Sequence, residues 1–80
     1  MPTVHRENGF QYFFFSNEGN PREPVHIHVR KAGAIAKVWL EHEPALADSD
    51  GFTAQELRAI LNVIQSHRQS FIEAWHEHFT

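Results

Sequence analysis

Eighty residues with no cysteine and a formal net charge of −3 suffice for one domain and not two, and they exclude disulfides and thiolate metal ligands as staples. The longest apolar run near the start, Phe13-Phe14-Phe15, falls far short of the roughly 18 residues of a membrane span and lacks the h-region of a signal peptide. The expectation is therefore a cytoplasmic chain with no membrane role. Charge is uneven: residues 1–40 hold five Lys/Arg against three Glu, a balance of +2, and residues 41–80 hold two Arg against seven Asp/Glu, a balance of −5. An anionic ligand should prefer the first half, which also carries His5, His26 and His28.

No repeat, linker or low-complexity run interrupts the chain, so residues 1–80 read as a single domain. Thr3 to Glu7 and Phe10 to Ser16 form two expected strands around Asn8-Gly9, a dipeptide whose tolerance of positive φ favours a type I′ hairpin. The segment from Asn17 to Pro24 is rich in turn residues, and its prolines bar it from a central strand. A third strand starts at Val25 and alternates strictly. Val25, Ile27 and Val29 point one way, and His26, His28 and Arg30 the other.

With Ala32-Gly33 as a two-residue turn, the register pairs Lys31 with Ala34, Arg30 with Ile35, His28 with Lys37 and His26 with Trp39. The opposite face then pairs Val29 with Ala36, Ile27 with Val38 and Val25 with Leu40. A slip of one residue would turn every side chain to the wrong face, so this agreement in both strands fixes the register. Glu41 to Gly51 reads as a polar loop.

Thr53-Ala54-Gln55-Glu56 matches a capping box, with Phe52 placed to staple onto Leu57, so a helix begins at Thr53. Its apolar stripe runs through Leu57, Ile60, Leu61, Ile64, Phe71, Ile72, Trp75 and Phe79, spaced to bury one face against the sheet. Arg68 interrupts that stripe. Ser66 to Gln69 is itself a second capping-box pattern, so either the helix breaks near Ser66 or Arg68 snorkels from one long helix. The fold class is α+β: an antiparallel sheet of about four strands in two hairpins, packed on one face by a C-terminal helix or broken helix pair. The aromatic run from Phe10 to Phe15 exceeds what one covered face can bury, which points to a partner chain or a homodimer unless the first hairpin buries its own rings.

Three chemistries compete for the face that bears His26, His28, Arg30, Lys37 and Trp39. Two strand histidines at i and i+2 lie about 6.5 Å apart, close enough to share a metal ion or to serve one substrate as acid and base. They are equally well two ordinary surface residues. A zinc site needs at least a third ligand, for which Glu18, His5 and His42 are candidates, but none is fixed by spacing, and we expect no stoichiometric transition metal and no cofactor. RNA cleavage fits better: imidazoles for proton transfer, Arg30 and Lys37 for phosphate, and Trp39 as a stacking platform for a base.

Several segments carry a family resemblance. Met1-Pro2-Thr3, Gly9-Phe10, Phe13-Phe14-Phe15-Ser16-Asn17-Glu18, Pro24-Val25-His26-Ile27-His28-Val29, Ala36-Lys37-Val38-Trp39-Leu40-Glu41, Glu56-Leu57 and Glu73-Ala74-Trp75 resemble, in this order, the bacterial family Domain of Unknown Function 4160. Its members often stand beside another small protein in pairs that look like toxin-antitoxin modules. The resemblance implies a cognate small protein as partner, and it nominates Glu18, His26 and His28 as candidate catalytic positions. The third strand is also similar to the signature of histidine-triad hydrolases, but Arg30 stands where the third histidine belongs. The favoured expectation is the toxin of such a pair, acting on RNA with His26 and His28 as its acid-base pair. The alternative is a non-catalytic module, an antitoxin or dimerising adaptor, that binds through the sheet face or the Phe-rich strand.

Overall fold

The computed structural model describes residues 3–15 and 23–79. Five strands, β1 (Thr3–Glu7), β2 (Phe10–Phe13), β3 (His26–Lys31), β4 (Ala34–Trp39) and β5 (Ala45–Asp50), precede one helix, α1 (Ala54–His78). The strands form an antiparallel meander in the order β1-β2-β3-β4-β5, and α1 covers one face, so the class is α+β as expected from the sequence.

Both tight hairpins have positive φ at both central residues, as a type I′ turn requires: Asn8 at 54° and Gly9 at 84°, Ala32 at 50° and Gly33 at 86°. Ala32 adopts this conformation despite its Cβ because the flanking ladders hold the turn. The β3–β4 register is the one the alternation dictates: His26 lies opposite Trp39, His28 opposite Lys37 and Arg30 opposite Ile35. A backbone bond of 2.8 Å from Leu40 N–H to the Val25 carbonyl extends the ladder by one pair.

Beneath α1, Tyr12, Phe14, Ile27, Val29, Val38, Leu40, Ile60, Ile64, Phe71 and Trp75 form the buried core. Alternation therefore sends Phe10, Tyr12 and Phe14 under the helix and leaves Phe13 for the other face, where it too is buried. The helical segment thus covers most of the aromatic load of the run, and Phe15 is the aromatic of the run left part-exposed.

One expectation is corrected and one open alternative is decided. The stretch read as a polar loop contains β5, which pairs with β4 through a bulge that skips Ala47 between the Lys37–Asp48 and Val38–Leu46 pairs. Ala45 to Asp50 carries no β-branched residue and every position is exposed, so no burial pattern marked it as a strand; its aspartates suit an unpaired edge. The helix does not break at Ser66. The Ser66 hydroxyl donates to the Asn62 carbonyl one turn back at 3.1 Å, while the capping box forms at Thr53, with Glu56 N–H to Thr53 Oγ1 at 3.1 Å and Thr53 N–H to Glu56 Oε1 at 2.9 Å.

Arg68 stays in the stripe because it has a use there. Its Nε donates to the carbonyls of Leu40 at 3.0 Å and His42 at 2.6 Å, and its Nη2 to that of Glu41 at 2.9 Å. The guanidinium thereby satisfies the backbone where β4 ends and the chain turns toward β5.

Candidate functional site

The sheet face that carries Arg30 is built from cross-strand rows. One row runs Arg6, Gln11, Arg30, Ile35 and Asp50; the next runs Thr3, Phe13, His28, Lys37 and Asp48; a third joins His26, Trp39 and Ala45. The residues singled out in the sequence therefore do share a face. Glu18 lies outside the described residues.

Their accessibility divides them. His26 is fully buried and His28 is 7% exposed. The His26 ring sits 4.8 Å from Trp75 of α1, 5.5 Å from Trp39 and 5.2 Å from His28, and its Nδ1–H donates to the Pro24 carbonyl at 2.9 Å. His28 stacks on Phe13 at 5.6 Å and meets the edge of Phe15 at 4.4 Å. What remains accessible of it lines a small pocket of about 170 Å³ shared with Lys37, Asp48 and Asp50. This pair is aromatic-lined and bordered by carboxylates.

The cations of the face are held in fixed poses. Arg30 donates from Nε to Gln11 Oε1 at 3.0 Å and lies 4.8 Å over the Phe13 ring; Gln11 in turn donates to Thr3 Oγ1. Lys37 sits 4.5 Å over Trp39 and pairs with Glu23 at 3.4 Å, so one face of the half-buried Trp39 is already occupied. A shallow groove beside Trp39 is lined by Glu41 and Glu43, which would repel phosphate.

At the opposite end of the face, between the two turn tips, a groove of about 470 Å³ is lined by Arg6, Phe10, Gln11, Arg30, Lys31 and Ile35 among others, and no carboxylate is among its described lining residues. Lys31 reaches it from above the Phe10 ring, at 4.6 Å, while donating to the Asn8 carbonyl at 3.2 Å. Arg6 and Lys31 did not stand out in the sequence. Their signal was indirect: each flanks a turn, and antiparallel pairing brings such flanks together.

A second histidine cluster lies on the helix side of edge strand β1. A bulge at Val4 turns His5 to face Tyr12 across the ladder, and Glu7 follows on the same side. His67 descends from α1 to meet them: His5 Nε2 is 3.0 Å and His67 Nε2 3.8 Å from Glu7 Oε1, with the imidazole rings 4.3 Å apart. Tyr12 sits alongside, its ring 5.6 Å from that of His5. Burial, and to a lesser degree the Glu7 carboxylate, push its phenol up from 10.0 to about 12. Sequence reasoning noted His5 but not this trio. The available clue was that His67, like Arg68, falls in the apolar stripe between Ile64 and Phe71.

Residues 9–76 match the family Domain of unknown function (DUF4160). No curated protein and no solved structure matches the chain. No helix among the described residues is long and apolar enough to cross a membrane. The chain belongs to the DUF4160 family.

Proposed function

We propose that this member of the DUF4160 family is a non-catalytic RNA-binding protein, the RNA-contacting half of a toxin-antitoxin-type pair. Single-stranded phosphate backbone would lie in the groove between the two turn tips. One observation carries the reading: Arg6, Arg30 and Lys31 all line that groove, with no carboxylate among its described lining residues. Three cations along one groove suit successive phosphates, and Arg30 is pre-oriented by Gln11 and Phe13, which lowers the entropy lost on binding.

The same geometry favours binding over cleavage. A general acid or base must come within hydrogen-bond reach of the atom it serves, and His26 is fully buried while His28, 7% exposed, opens into a small pocket where Asp48 and Asp50 stand beside Lys37. Both act as packing residues in this reading, and Lys37 and Trp39 lie outside the lining of the RNA groove. The cognate small protein is the partner the family resemblance implies; Leu46, a large apolar side chain exposed among the described residues and outside the groove lining, offers it contact area.

Fluorescence anisotropy with a short labelled single-stranded RNA at several salt concentrations tests this. Neutralising three phosphates should give a log–log salt slope of about −2, and Arg6→Ala should weaken binding and reduce the slope by about 0.7. Arg6 is exposed, so this variant should fold. The RNA should stay full length throughout. Binding unaffected by Arg6→Ala and Lys31→Ala, no binding at all, or cleavage that disappears in His28→Gln would overturn the proposal.

A further inference from the structure

We propose that His5, Glu7 and His67 form a binding site for a divalent transition-metal ion, zinc in the first instance, joining edge strand β1 to helix α1. The three donor atoms lie within 4.8 Å of one another. Tetrahedral zinc, with bonds of about 2.0–2.2 Å to nitrogen and oxygen, holds its donors about 3.3–3.5 Å apart. The observed separations of 3.0 and 3.8 Å from Glu7 Oε1 bracket that value, and the two imidazole donors lie within 4.8 Å of each other, so side-chain rotation without backbone movement brings the three onto one ion.

The donor set is chemically selective. Two imidazoles and one carboxylate suit borderline ions such as zinc, whereas magnesium and calcium prefer all-oxygen shells. His5, Glu7 and His67 side chains are 24%, 40% and 39% exposed, open enough for an ion to enter and for water to complete the shell. Three protein ligands plus water is the pattern of accessible zinc sites.

Tyr12 supplies an independent observation. Its side chain is fully buried, and its hydroxyl has no hydrogen-bond partner among the described residues, an arrangement that costs free energy unless something answers it. Tyr12 stands directly opposite His5 in the β1–β2 ladder, and a metal-bound water on that side would give the hydroxyl its partner. The sequence argued against metal because His26 and His28 lacked a firm third ligand. The fold assembles a different set, complete with its carboxylate, in a cysteine-free chain of 80 residues for which a staple between an edge strand and the helix would matter.

The test is calorimetric titration of the full chain with zinc chloride, repeated with magnesium chloride, and cobalt(II) absorption as a second reading of coordination. The expected result is one zinc per chain, no saturable magnesium binding, and visible bands of a four-coordinate cobalt ion. His67→Gln and Glu7→Gln should each weaken zinc binding by more than about tenfold while circular dichroism stays native. His42→Gln, at an exposed position of the β4–β5 turn, should bind as the wild type does. No saturable zinc binding, wild-type affinity in a folded His67→Gln chain, or loss of binding in His42→Gln would overturn the assignment.

Discussion

The two histidine pairs of this domain are opposites. His26 and His28 are neighbours in sequence and conspicuous on an alternating strand, yet they end packed among Phe13, Phe15, Trp39 and Trp75. His5 and His67 lie at opposite ends of the chain, yet they converge on Glu7 and stay partly open to solvent. Sequence spacing tells which side chains share a face. Whether that face is covered depends on residues elsewhere, so the conspicuous pair supports the fold and the inconspicuous one is left with accessible chemistry.

The contrast can be broken by stability measurements. His26→Ala removes a fully buried ring and its hydrogen bond to the Pro24 carbonyl, so urea unfolding should show a loss of about 2–4 kcal/mol. His67→Ala, measured without metal, should cost less than about 1 kcal/mol. Equal costs for the two would erase the distinction between a packing pair and an accessible one.

Arg68, next to His67 on the helix, sharpens it further. The two side chains diverge, one to β1 and the other to the end of β4. Arg68→Ala strips the carbonyls of Leu40, Glu41 and His42 of their shared donor and should cost about 2 kcal/mol in the same unfolding assay. A loss as small as that of His67→Ala would show that the guanidinium is not holding the turn.

The smallest expected effect is spectroscopic. Tyr12 is the chain's one tyrosine, so ultraviolet titration reads it alone. Its phenol should ionise near 12, with burial as the larger cause and Glu7 as the smaller. Glu7→Gln should lower that value by less than half of the rise above 10.0. Because the folded state favours the neutral phenol, this contribution to stability is fully present below about pH 10 and is lost as pH climbs toward 12. A normal phenol titration in the folded chain would mean that Tyr12 is not buried beside Glu7.

Much of the architecture was legible because period-2 alternation, the two turn dipeptides and the capping box at Thr53 agreed with one another. They fixed the β3–β4 register, the core face and the start of α1. β5 was hidden because an exposed edge strand has no buried face to pattern. The role of Arg68 was hidden because its acceptors are backbone carbonyls, which have no sequence signature. The face of His26, His28, Arg30, Lys37 and Trp39 was legible as a set, but its burial was not, since the covering rings come from β2 and α1. The basic groove and the His5–Glu7–His67 cluster required tertiary convergence, which only the folded chain displays.

The most direct test of the division between the two pairs is carbethoxylation of the native protein, with each histidine followed by peptide mass spectrometry. His42, whose side chain is 90% exposed, sets the reference rate. The expected result is that His5 and His67 react at measurable rates below that reference, that His26 and His28 are strongly protected, and that all of them become equally reactive in denaturant. Reaction of His26 and His28 as fast as His42 in the folded chain would contradict their assignment as packing residues and return them to consideration as an acid-base pair.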